Sequence, residues 1–147
     1  MSNRNLRQSG FSLLELLAGL LLIGIISSTA ISNLNALKNP LTNTGHLVSH
    51  YLRLVRSRAI SQTLAIEVSP ESNSRLVAKS TSSCSGSMSP IDDLSLDFQD
   101  GVTLEDTDWT VCFNQRGLAD SYITFTIESA QGSKTIQVAL GGGVKIE

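Results

Sequence analysis

His46 and His50 stand four residues apart in His46-Leu47-Val48-Ser49-His50. On a helix that spacing puts two imidazoles on one face, as in the zinc proteases that carry H-E-x-x-H. The glutamate that would act as general base is missing and no third ligand is evident, so a solvated helix face accounts for the pair. Asp92, Asp93, Asp97, Asp100, Glu105, Asp106 and Asp108 offer carboxylate oxygens of the kind calcium takes. They lack EF-hand spacing and read as a solvated, self-repelling stretch. Gly141-Gly142-Gly143 has neither the lysine nor the serine of a phosphate-binding loop and precedes no helix, so it reads as a turn. Ser85-Gly86-Ser87 is no nucleophile elbow, and no Ser-His-Asp set is apparent. These residue types supply no catalytic constellation. No enzyme activity, metal or cofactor is expected.

One acid demands a different account. A polar leader with Arg4 and Arg7 ends at Gly10, and an apolar run follows from Phe11 to about Ile31 with Glu15 as its only charge. A carboxylate at the centre of a bilayer helix costs roughly 2.5–3.5 kcal/mol on insertion scales. A position near the membrane edge softens that cost without explaining the residue, so Glu15 needs a partner. About 21 helical residues at 1.5 Å each reach about 31 Å, enough to span a bilayer. Two other readings compete. Ser28-Thr29-Ala30 offers a small-x-small site for signal-peptide cleavage, after which the chain would start at Ile31. A plain membrane anchor would also suffice, but it leaves Gly10-Phe11 and Glu15 as coincidences.

The chain has 147 residues, enough for one modest domain beyond the N-terminal helix. Its formal charge is −2, from 11 basic and 13 acidic residues. Removing Arg4 and Arg7 with the leader leaves nine basic residues, and the remainder is more acidic still. Such a balance does not suit a protein that binds nucleic acid across its whole surface. Cys84 and Cys112 both lie beyond the apolar run. In an exported, oxidising compartment Cys84 and Cys112 are expected to form a disulfide; the alternative is two unpaired thiols, one buried in a strand around Val111-Cys112-Phe113. No C-x-x-C spacing points to zinc or to a thioredoxin-type site.

The periodicity supplies the elements. Helix-compatible sequence continues from Ser32 to Leu37, Pro40 marks a bend or break, and Thr42-Asn43-Thr44-Gly45 is a weak spot or restart. From His46 to Ser61, Leu47, Val48, Tyr51, Leu52, Val55 and Ala59 share one face at helical spacing, as in a helix half-buried on a sheet. After Gln62 the period shortens. Strands are expected over 63–69, 75–80, 94–98, 109–114, 122–128, 135–140 and 144–146. Pro70-Glu71-Ser72-Asn73 and Gln131-Gly132-Ser133 serve as turns, and the Ser-rich segment 81–93 as a loop.

Gly10-Phe11-Ser12-Leu13-Leu14-Glu15 resembles the class III signal of type IV pilins and type II secretion pseudopilins. The resemblance implies that a prepilin peptidase cuts the Gly10–Phe11 bond on the cytoplasmic side and methylates the new amino terminus at Phe11. It also implies that Glu15 neutralises that terminus on a neighbouring subunit during filament assembly, so that two costly charges in lipid become one pair. Within the family, the H-type pseudopilins and FimT-like minor pilins are similar in three further stretches. These are Leu52-Arg53-Leu54-Val55-Arg56-Ser57-Arg58-Ala59-Ile60, Phe113-Asn114-Gln115-Arg116-Gly117 and Gly143-Val144-Lys145-Ile146.

The expected architecture is α+β: a long N-terminal hydrophobic helix packed on a C-terminal antiparallel β-sheet head. Residues 1–10 would be a cleaved leader, 11–31 the transmembrane and assembly helix, 32–62 its continuation into the head, and 63–147 the β-rich head. The implied function is structural: a minor pilin or pseudopilin that primes assembly or sits near a filament tip, in a type IV pilus or, alternatively, a type II secretion system. Other pilins would be partners through the N-terminal helix, and the inner membrane would hold the single-pass subunit before assembly, its head in the periplasm or outside. FimT-like pilins in competent bacteria can bind DNA through a basic C-terminal element, so the resemblance also implies, as a further alternative, a DNA-binding minor pilin for natural transformation. The counterpart here is thin: Lys145 beside the acid Glu147, with Arg116 and Lys134 as further candidates.

Overall fold

The computed structural model describes residues 12–36 and 39–147. It falls into two compact units, divided between Lys38 and Asn39.

The first unit holds helix α1, Leu13–Ala36. From Leu13 to Ile25 its large apolar side chains are exposed all round, Leu13 at 81%, Leu17 at 53% and Ile25 at 64%. A helix that is apolar on every face has no polar side to give to water and belongs in lipid or among other helices. Among the described residues no helix is long and apolar enough to cross a membrane. The span expected over 11–31 lies partly outside the described residues.

The second unit is the head. Helix α2 runs Pro40–Gln62. Asn39 caps it by accepting the Thr42 N–H at 2.9 Å, and Pro40 sits in the first turn, where a missing N–H costs nothing. The proline therefore starts the helix. The expected restart at His46 is wrong, and Thr42 to Gly45 are helical. The buried stripe is Leu41, Thr44, Gly45, Val48, Tyr51, Leu52, Val55 and Ala59, with Ser49 beside it. Leu47 was expected there but is 42% exposed, because the stripe centres one position further on.

Two four-stranded antiparallel sheets form the rest of the head. Sheet A contains β1 (Ala65–Ser72), β2 (Arg75–Thr81), β3 (Ser89–Asp97) and β5 (Val111–Phe113), ordered β3-β2-β1-β5. Sheet B contains β4 (Val102–Leu104), β6 (Ile123–Ser129), β7 (Gly132–Val138) and β8 (Val144–Ile146), ordered β4-β6-β7-β8. The core lies among α2 and the two sheets. Leu52 and Val55 of α2 are fully buried with Ile66, Leu76 and Phe113 of sheet A and Ile127 and Ile136 of sheet B.

The strand boundaries differ from expectation for local reasons. β1 runs through Pro70 to Ser72, because β5 covers only Ile66–Val68 and leaves Pro70 on an open edge. β3 starts at Ser89, inside the expected loop, and its register with β2 breaks between Val77 and Lys79. β4 was missed altogether. Its buried Val102 and Leu104 alternate with Thr103, too short a pattern to stand out among the surrounding acids. The β6–β7 turn is one position tighter than expected: Ser129 pairs with Gly132, whose φ of 131° favours glycine.

Candidate functional site

Ser12 and Glu15 open α1 with a reciprocal pair of hydrogen bonds. The Ser12 N–H donates to Glu15 Oε2 at 3.2 Å, and the Glu15 N–H donates to Ser12 Oγ at 3.3 Å. This is a capping box, in which two backbone donors that the first helical turn leaves free each find a side-chain acceptor. The Glu15 carboxylate also sits at the positive end of the helix dipole. The acid that the sequence left without a partner therefore has a local one. Serine followed three residues later by glutamate, ahead of an apolar run, is the sequence signal for it. Both residues are exposed, so the carboxylate stays open to a second partner. Gly10 and Phe11, the expected cleavage and methylation positions, lie outside the described residues.

In the head, Cys84 and Cys112 form a disulfide with Cα atoms 5.8 Å apart. It fastens the β2–β3 loop to the short edge strand β5. The same end of sheet A carries an open cavity of about 420 Å³, lined by Ser82, Cys84, Asn114, Arg116 and Asp120 among others.

The three cations named for DNA contact are not brought together. Arg116 is exposed in the turn after β5, where its N–H donates to Asn114 Oδ1 at 2.9 Å. Lys134 alternates with Ile136 and Val138 on the inner face of β7, and its aliphatic stem lies against Gly45 of α2. Lys145 stands opposite Gln137, which puts it on the outer face of sheet B. There its ammonium is bonded to Glu147, which holds its pKa above the ordinary lysine value. Glu147 also accepts from Gln137 Nε2 at 2.9 Å.

His46 and His50 are exposed and share a cleft with Arg53 and β8. The acidic stretch is dispersed. Asp93 is held by Arg58 at 2.9 Å, which lowers its pKa, and Asp97 lies 3.6 Å from Arg75. Asp106 Oδ1 accepts the Asp108 N–H. Among the described residues no three of His, Cys, Asp or Glu are grouped to hold a metal ion.

Arg56 joins the first two stretches singled out in the sequence and meets the glycine just before the third. Its Nε donates to the Gly117 carbonyl at 2.9 Å, and Gly142 packs on both. The triple glycine is thus a turn held against the α2 arginine.

Residues 5–31 match the prokaryotic N-terminal methylation motif. No curated protein matches the sequence. By structure, the chain is similar to the type IV minor pilin FimU of Pseudomonas aeruginosa, with a TM-score of 0.58 and 20% identity over 73% of this chain and 87% of that one. It is also similar to the minor pseudopilin EpsH from the Type 2 Secretion System of Vibrio cholerae, with a TM-score of 0.59 and 11% identity over 74% of this chain and 97% of that one. Motif and fold are both pilin-like.

Proposed function

We propose that this chain is a minor pilin or pseudopilin, a structural subunit built into a filament and not an enzyme. The observation that carries the reading is the placement of Glu15. It is the sole acid of α1, it lies in the first turn of an apolar helix, and it falls within the matched methylation motif. In this reading a prepilin peptidase cuts after Gly10 and methylates Phe11. The apolar helix holds the subunit in the inner membrane and then packs among the helices of other subunits. Glu15 neutralises the amino terminus of a neighbour. The preference for a pilus over a secretion pseudopilus rests on the FimT-like stretches of the sequence. The filament role we assign is priming or a place near the tip.

The capping box makes a clean test available, because glutamine serves at its third position as glutamate does. Glu15→Gln keeps the cap and removes the charge; Glu15→Leu removes both. Both variants should be cut after Gly10 and remain in the membrane fraction, since losing a charge makes lipid burial easier. Both should be missing from sheared filaments, because removing one partner of a buried ion pair costs roughly 3–5 kcal/mol. Normal incorporation of Glu15→Gln would reduce Glu15 to a helix cap. A mature chain that begins at Ile31 would overturn the pilin reading itself.

A further inference from the structure

The outer edge of β8 faces α2 across a cleft of about 530 Å³ lined by His46, Ser49, His50, Arg53 and the strand itself. On its other side β8 pairs with β7. Thr135 and Glu147 exchange both backbone hydrogen bonds, at 3.1 and 2.9 Å, and the Ala139 N–H donates to the Gly143 carbonyl at 2.9 Å. In an antiparallel ladder bonded and non-bonded pairs alternate. Gln137 opposite Lys145 is then a bonded pair, while Val144 and Ile146 turn their backbone N–H and C=O groups away from β7. The Val144 carbonyl confirms the direction, since it meets Arg53 Nη2 of α2 at 3.5 Å. The end strand of sheet B thus offers a short row of alternating donors and acceptors.

The wall opposite that edge is basic. His46, His50 and Arg53 follow one another at helical spacing, and α2 contains no aspartate or glutamate in its 23 residues, although the whole chain is net negative. Lys145 adds little here, because its ammonium is held by Glu147 on the outer face. An exposed edge strand is a template for another extended chain, and native edges are usually blunted by charge, proline or cover. Among the described residues the hydrogen bond that meets this edge is the long one from Arg53.

We propose that this edge is a docking site for an extended acidic segment of another polypeptide. The segment adds to sheet B beside β8, with its carboxylates toward Arg53, His50 and His46. A polypeptide fits better than a nucleic acid. An extended chain presents N–H and C=O groups in turn, whereas a phosphate backbone presents acceptors alone and would leave the Val144 and Ile146 carbonyls unmet. The proposal rests on the geometry of the head and not on the filament reading.

The test uses the full chain in neutral detergent micelles and fluorescently labelled octapeptides, one alternating valine with aspartate and one alternating valine with lysine. A single-stranded oligonucleotide is the third probe. The aspartate peptide should bind and the lysine peptide should bind at least about ten-fold more weakly, the scale of a few charge-assisted contacts. Val144→Pro removes an outward N–H and spares the ladder to β7, and should weaken the aspartate peptide several-fold. Arg53→Gln should do the same. Alternate N-methylation of the peptide amides keeps its charge and removes its donors. It should abolish binding to the unmodified protein, so the strand requirement is tested even if Val144→Pro misfolds. Equal binding of the two peptides, binding of the oligonucleotide alone, undiminished binding of the N-methylated peptide, or no peptide binding at millimolar concentration would each overturn the proposal.

Discussion

Arg56 donates its Nε–H to the carbonyl of Gly117 at 2.9 Å, and so ties the middle of α2 to the turn after β5. Gly142, in the β7–β8 turn, closes over the same point. A Cβ on Gly142 would stand 2.2 Å from the Gly117 oxygen and 2.7 Å from Arg56 Nε, and a Cβ on Gly117 would stand 2.6 Å from Ile60 Cδ1. Both glycines also adopt positive φ, 73° and 74°. Three elements distant in sequence therefore meet at one guanidinium, with no space left for side chains on the two turns.

Arg56→Ala leaves the half-buried Gly117 carbonyl without its charged donor, which should cost about 1–3 kcal/mol. Gly142→Ala combines a left-handed backbone with a backbone clash and should cost at least as much. Urea unfolding of both variants checks this. Arg56→Lys should recover only part of the loss, because an ammonium cannot reproduce the planar N–H placement. Full recovery by lysine would show that the charge alone matters.

Much of this molecule was legible along the chain, and the failures share a physical form. The helix–strand switch after Gln62 and the turn at Gly141 are local signals and match the structure, whereas the turn expected over 70–73 shrinks to Asn73 and Ser74 because β1 extends to Ser72. The partition into two sheets was not legible, because it depends on which strands pair across the fold. The same holds for Arg116, Lys134 and Lys145. Close in role on paper, they fall on a turn, an inner face and an outer face once the β7–β8 register is set. Ser12 is the opposite case. Its capping role is written locally, in the Ser-x-x-Glu spacing just ahead of the apolar run.

Thr63 ends α2 in the left-handed region at φ 53°. Its N–H reaches the Ile60 carbonyl at 3.3 Å and the Leu64 N–H reaches Ala59 at 3.1 Å, the bond pattern that usually employs glycine. A β-branched residue is strained there, by about 1–2 kcal/mol. Thr63 is exposed and its side chain makes no contact the motif needs, so Thr63→Gly should stabilise the head by up to about 1 kcal/mol after the added entropy of the unfolded glycine. A lower thermal midpoint for the variant would contradict this.

The Cys84–Cys112 bridge closes a sequence separation of 28 residues. On the chain-entropy model that is worth roughly 3–4 kcal/mol. Reduction should lower the urea midpoint of the head by a corresponding amount. It should loosen β5 before the rest, because β5 pairs with β1 over just three residues and its remaining backbone bonds go to the short segment 118–120. Amide hydrogen exchange at Val111, Cys112 and Phe113 should accelerate on reduction, while Ile136 and Val138 in β7 change least. Uniform acceleration in both sheets would mean that the bridge supports the whole core and not its edge.

Tyr51 gives the head an alkaline limit. Its hydroxyl donates to the Leu94 carbonyl at 3.0 Å across the interface between α2 and β3, and burial raises the phenol pKa well above the ordinary tyrosine value. Folding therefore favours the protonated form. The stabilisation is complete below the unfolded-state pKa of about 10, and it declines as pH rises from there toward the higher folded-state value. Wild-type stability should accordingly fall between about pH 10 and 12, with a slope of up to about 1.4 kcal/mol per pH unit from this one group. Tyr51→Phe keeps the ring and removes the titration. At pH 7 it should cost about 0.5–1.5 kcal/mol for the lost hydrogen bond. Above pH 10 it should lose stability less steeply than the wild type, so that the two curves converge or cross. Urea midpoints at pH 7, 9, 10 and 11 measure both effects together. Parallel curves over the whole range would show that Tyr51 is not the group that titrates.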